Sequence, residues 1–131
     1  MHDFHDFIVA SAVRGNEPEF AEILAFCEQS KFSPEVFCNE FSILVAKGFL
    51  EATMSYEFCD CAMNYLWGFI TSPLFGFENA IPELAFAIYE AFDQGEYYHS
   101  NDSRDIDPRE KYTRPMITEI FGGLNSSRRA D

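Results

Sequence analysis

Several places in the 131-residue sequence hold side chains of the kinds that do chemistry. Cys59-Asp60-Cys61 has the outline of a metal motif, and His2 and His5 stand three apart beside Asp6. His99 lies in a stretch rich in carboxylates, where Asn101, Ser103, Asp105 and Asp107 alternate as calcium-loop ligands do. Each meets a physical objection. On a helix, residues two apart point to nearly opposite faces, so Cys59 and Cys61 cannot clamp one ion and read as small hydrophobes. His2 and His5 lack the further ligands a metal site needs. A general base needs a partner within hydrogen-bond reach, yet no Gly-x-Ser-x-Gly and no activated cysteine neighbours His99, which reads as a partly exposed loop histidine. In the calcium-like stretch Ile106 stands where the turn glycine belongs, and Tyr112 replaces the bidentate glutamate. No metal, no cofactor and no catalytic residue is expected.

The elements that position these residues follow from apolar spacing and caps. Phe4, Phe7, Ile8 and Ser11-Ala12 fit one helical face closed by Gly15, with a strand over Phe7 to Val13 as the alternative. Asn16-Glu17-Pro18-Glu19 is a capping box, and Phe20, Ile23, Leu24 and Cys27 form the stripe behind it. Ser33-Pro34 opens a third helix that Gly48 closes, with Phe37, Phe41 and Leu44 inward and Glu35, Asn39 and Ser42 outward. From Met54 to Thr71 two apolar stripes run side by side: Phe58, Ala62, Tyr65 and Phe69, then Tyr56, Cys59, Met63, Trp67 and Ile70. Only a narrow line through Glu57, Asp60 and Asn64 is polar, so this helix should be surrounded by others. Leu74-Phe75-Gly76-Phe77 reads as a packed connector, and Asn79 caps a fifth helix with Pro82 in its first turn. Leu84, Ala85, Ile88 and Phe92 are its buried positions, and Gly95 stops it. Asp107-Pro108-Arg109-Glu110 is a second capping box, and Thr113-Arg114-Pro115 restarts or kinks a last helix that ends before Gly122-Gly123. The fold class is all-α: a single-domain irregular bundle of five to seven short helices with a central buried helix near 54–71. Residues 1–124 form the domain and 125–131 a frayed tail.

Composition narrows function without naming it. The formal net charge is -13, and residues 1–100 carry all of it, with sixteen acids against Arg14, Lys31 and Lys47. Such a field repels nucleic acid and anionic membranes and attracts basic proteins. Arg128-Arg129 is too small a basic patch for nucleic acid, and Gly122-Gly123 follows a helix instead of opening one as a phosphate cradle would. Asp3 and Asp6 replace the basic start of a secretory signal, Phe7 to Val13 is too short for its apolar core, and no charge-free run reaches membrane-spanning length. A cytoplasmic location with Cys27, Cys38, Cys59 and Cys61 reduced is the expectation.

What remains is surface. Glu83, Glu90 and Asp93 share one side of the fifth helix, and Glu96, Asp102, Asp105 and Asp107 follow in the loop with Tyr97 and Tyr98 among them. Acids steer a basic partner, and exposed tyrosines supply anchoring area at low entropy cost. These nine residues are the expected partner-binding set. The alternative is that the tyrosines pack inward and the acids only solvate a face.

The run Ala91-Phe92-Asp93-Gln94-Gly95-Glu96-Tyr97, with Glu110-Lys111-Tyr112-Thr113-Arg114-Pro115 after it, is similar to carboxy-terminal segments of bacterial immunity proteins, the inhibitors of toxins delivered by contact-dependent inhibition or similar systems. The resemblance covers about a third of the chain. It implies tight, stoichiometric binding to a basic toxin, a nuclease, whose active site an acidic surface would cover. It transfers no residue by motif. Two rivals stand beside it: a non-catalytic regulatory or adaptor protein, including one that forms a homodimer burying part of the aromatic surplus, and an enzyme using His99 with neighbouring carboxylates.

Overall fold

The computed structural model describes residues 4–14, 19–72 and 81–130, and the side chains among them except those of Arg14 and 125–130. Six α-helices and one π-helical turn account for the regular structure of the described residues. They are α1 (Phe4–Arg14), α2 (Phe20–Ser30), α3 (Pro34–Leu50), α4 (Tyr56–Ile70), α5 (Glu83–Asp93), the π turn (Arg109–Thr113) and α6 (Arg114–Ala130). The all-α expectation holds, and Phe7 to Val13 is helix, not strand. None of the helices is long and apolar enough to cross a membrane. Asn16 to Pro18, Leu74 to Phe77 and Asn79 lie outside the described residues, so the capping and packing expected of them are not described.

Local chemistry sets the helix ends. Ser33 Oγ accepts from Val36 N at 3.2 Å with Pro34 next in line, and Ser55 Oγ accepts from Phe58 N at 3.1 Å, so both central helices begin on a serine cap. Lys31 ends α2 in the left-handed region (φ 59°), where its N–H reaches the carbonyls of Cys27 and Glu28. Glu19 precedes α2 without a side-chain cap bond, and its backbone N–H donates to the Tyr65 hydroxyl at 3.1 Å. The expected box at Asp107 is half made: Asp107 Oδ1 accepts from Arg109 N at 2.9 Å, while Glu110 turns to Arg114 Nε at 2.6 Å. Pro115 has no N–H and its ring would press on the carbonyl four residues back. The chain widens just before it, Arg114 N–H bonding the Arg109 carbonyl across the π turn.

α4 packs against α1, α3 and α5, as its double apolar stripe required. The centre is shared, however, because α3 touches α1, α2, α4, α5 and α6. The expected outward face of α3 holds at Glu35, which is exposed, and is corrected at Ser42 and Asn39. Ser42 is fully buried with its hydroxyl donating to Cys38 O at 2.8 Å, and Asn39 Oδ1 accepts from Ala85 N at 3.2 Å, tying α3 to the start of α5. Polar groups satisfied this way can be buried at little cost. Gly48 does not close α3 but lies buried inside it, where Met54 packs against its missing side chain. In α2, Phe26 takes the buried position expected of Leu24, which is exposed. Phe37 is the hub of the core, within 5.6 to 6.2 Å of Phe4, Phe7, Phe26, Phe41 and Phe69. A last correction falls on Gly122-Gly123, which α6 passes through on its way to Ala130. Both glycines are exposed there, and each weakens a helix by roughly 1 kcal/mol without ending it.

Candidate binding surface

Asp60, Asn64 and Trp67 recur at four and three residues along one edge of α4, and Phe86, Tyr89 and Asp93 at three and four along α5. Such spacings place each set on one face. The helices run antiparallel, so the two edges meet in a seam with an aromatic end and an acidic end. At the aromatic end the Trp67 ring lies flat on Tyr89, centroids 4.6 Å apart, and 5.6 Å from Phe86. Trp67 and Tyr89 are half-buried and Phe86 is 37% exposed, so rings of this size face water together.

At the acidic end Asp60 meets Glu96, the third residue beyond α5, with Asp93 beside them. Burial pushes the Asp60 carboxyl up to about 8, helped by its hydrogen bond to Glu96 and the charges of Glu96 and Asp93, while Arg109 pulls the other way. Asp60 therefore keeps its proton at neutral pH and donates it to Glu96. The Tyr89 hydroxyl is raised too, first by burial and then by Asp93, Glu96 and Asp60. One negative field covers both ends of the seam.

The nine expected binding residues fall into two groups. Glu83 and Glu90 are exposed on the α5 side that carries Phe86, and Asp93 and Glu96 form the acidic end of the seam. Asp102, Asp105 and Asp107 instead organise the loop that leads to α6. The Asp102 carboxylate takes the Lys111 ammonium and, at 2.5 Å, the Tyr112 hydroxyl, contacts that hold it below the usual carboxylate range. Asp105 accepts from the Ser103 hydroxyl and is lowered by that bond, and Asp107 caps the π turn. Tyr97 and Tyr98 lie between the groups, 48% and 55% exposed. Tyr97 stacks on His99 at 4.5 Å, His99 on Tyr112 at 3.8 Å, and Arg104 sits over Tyr98 at 5.6 Å.

Residue types that suggested chemistry have other partners. His99 Nε2 lies 2.9 Å from the Gln94 carbonyl, inside its tyrosine stack. Cys59 is buried and Cys61 exposed, on opposite sides of α4. Among the described residues no three His, Cys, Asp or Glu side chains are placed to hold a metal ion. A cleft of about 410 Å³ beside the start of α4 holds Arg109 and Arg114, but both are engaged. Arg109 covers the Tyr56 ring at 4.3 Å and pairs with Glu57 at 2.7 Å; Arg114 covers Phe49 at 4.7 Å and pairs with Glu110. These contacts fasten the π turn and α6 to the corner between α3 and α4.

Sequence reading missed Trp67, Phe86, Tyr89 and Asp60 as a group. The sequence puts Trp67 in an apolar stripe and Asp60 on the narrow polar line beside it. The signal was their common direction: Tyr56, Asp60 and Trp67 project within a narrow arc of α4, so a carboxylate shares the tryptophan's side and marks an edge. No family model matches this chain, and no curated protein and no solved structure matches it. The fold defines it as an all-α helical bundle.

Proposed function

We propose that this chain is a non-catalytic binding protein that docks a basic protein on the α4–α5 seam. In the form the sequence resemblance suggests, it is an immunity protein that covers the active site of a basic toxin acting on nucleic acid. The observation that carries the reading is the partly exposed stack of Trp67, Phe86 and Tyr89 beside the carboxylates of Asp93 and Glu96 and the protonated carboxyl of Asp60. Large rings at the centre of a contact supply most of its affinity, and the acids around them supply steering and selectivity. A site shaped to hold phosphates already complements such a surface. Fast capture matters when the partner is destructive, and opposite charge raises association rates.

The test is affinity capture with tagged protein from its native host, read at low and at moderate salt. The expected result is one small basic protein, recovered best at low salt, whose nuclease activity the chain abolishes. Glu90→Lys should slow association, and Phe86→Ala should weaken the complex by about tenfold or more through faster dissociation. Both positions are exposed, so the fold should survive. Unchanged binding in both variants would remove the seam as the interface. Recovery of the chain alone, at twice its mass, would replace the reading with a homodimer.

A further inference from the structure

The chain's own arginines show how it holds a guanidinium. Arg109 lies over the Tyr56 ring at 4.3 Å while pairing with Glu57, and Arg114 over Phe49 at 4.7 Å while pairing with Glu110. Arg104 lies over Tyr98 at 5.6 Å. Every arginine whose side chain is described therefore rests on an aromatic ring. Among the described lysines only Lys111 does so, at 5.3 Å from Tyr112, farther than Arg109 and Arg114 stand from their rings. The preference has a physical basis. A guanidinium is planar and weakly hydrated, so it can stack through its face and bond a carboxylate through its edge at the same time.

The seam offers the same two partners, and no cation of the described residues lies over its rings. Trp67 and Tyr89 stack within 12° of parallel, and both are half-buried. Asp93 is one helical turn from Tyr89 and Glu90 one turn from Phe86, so a carboxylate stands beside each ring of α5. Asp60 holds its proton, which leaves the charge of the acidic end on Asp93 and Glu96. Among the described residues Arg109, Lys111 and Arg114 pair with Glu57, Asp102 and Glu110, and none pairs with Glu90, Asp93 or Glu96. We propose that the residue a partner sets into the seam is an arginine, its guanidinium laid on the Trp67–Tyr89 rings and bonded to Asp93. The assignment rests on the seam being the docking surface, and it narrows the basic partner to one that presents arginine there and not lysine.

The probes are a short peptide of arginine, glycine and serine and its twin with lysine at each arginine position. Each is titrated to millimolar concentration into the full ¹⁵N-labelled chain at low salt. Amide shifts should concentrate in residues 60–67 and 86–96, and the arginine peptide should bind about fivefold tighter than its twin. Emission from Trp67, the chain's single tryptophan, should change along the same titration. Tyr89→Leu keeps an apolar side chain but removes the ring, so it should bring the two peptides to equal affinity. Asp93→Asn leaves the rings intact and should weaken both. Should Tyr89→Leu fail to fold, the comparison of the two peptides on the native chain still decides. Equal affinity of the twins, with shifts in the seam, would overturn the arginine assignment and leave the seam as a dock for basic proteins of either kind. Shifts spread evenly over the surface would reduce the effect to bulk charge and overturn it as well. No seam shifts from either peptide would remove the seam itself, and the proposed docking with it.

Discussion

At the scale of single residues, Asp60 decides how the acidic end of the seam behaves. It is a carboxyl raised by burial and by two carboxylate neighbours, so the folded state holds a proton that the unfolded chain releases near its ordinary value of about 4. Between that value and about 8 the folded state binds more protons, and stability must fall as pH rises. Asp60→Asn keeps a donor toward Glu96 and removes the titration. The variant should gain on the native chain as pH rises from about 5 to about 8, reaching about 1 kcal/mol, a figure reduced because solvent screens a half-buried group. Urea unfolding of both chains across that range checks it. A constant difference between them would mean that Asp60 ionises normally.

Between elements, the tightest junction is at Gly95, where the end of α5 meets the start of α4 and the π turn. The Tyr56 hydroxyl donates to Phe92 O at 2.5 Å and the Thr113 hydroxyl to Ala91 O at 2.7 Å, closing two carbonyls of the last turn of α5. A methyl on Gly95 would overlap the Thr113 hydroxyl and come within 2.9 Å of the Tyr56 oxygen. Neither can retreat without breaking its bond. Gly95→Ala should cost about 1–3 kcal/mol, as overpacked sites do. Gly48→Ala meets only the flexible Met54 side chain, whose sulfur lies at 2.5 Å, and gains up to about 1 kcal/mol of helix propensity. Gly95→Ala should therefore be clearly the more damaging in equilibrium unfolding. The reverse order would show that the junction yields more easily than its hydrogen bonds imply.

For the molecule as a whole, the governing quantity is a net charge of -13 gathered into the first hundred residues. Folding brings these charges closer together, so self-repulsion opposes it. Raising ionic strength from about 10 mM to about 150 mM shortens the screening length from about 30 Å to about 8 Å. Tm should rise by a few degrees over that interval in thermal scans. A fall would mean that the exposed pairs Arg109–Glu57 and Arg114–Glu110 outweigh the repulsion. The same screening should weaken capture of a basic partner, so salt should move stability and binding in opposite directions.

The helices were legible in the sequence because their signals are local. Apolar spacing, Ser33-Pro34 and the run from Tyr56 to Ile70 speak through neighbours three and four residues away, and the acidity is read directly from composition. The nine candidate residues came from the same local view, which is why it grouped Asp102 with Asp93 although the first ties Lys111 and Tyr112 and the second belongs to the seam. What a helix face meets is not local. Whether Ser42 is core, whether Gly48 leaves room for Met54, and whether Trp67 lies at an edge beside Tyr89 depend on segments brought together from distant parts of the chain. Asp60 is the sharpest case. Its type and position are written in the sequence, but its retained proton arises from burial and from Glu96, thirty-six residues away, and only tertiary structure sets either.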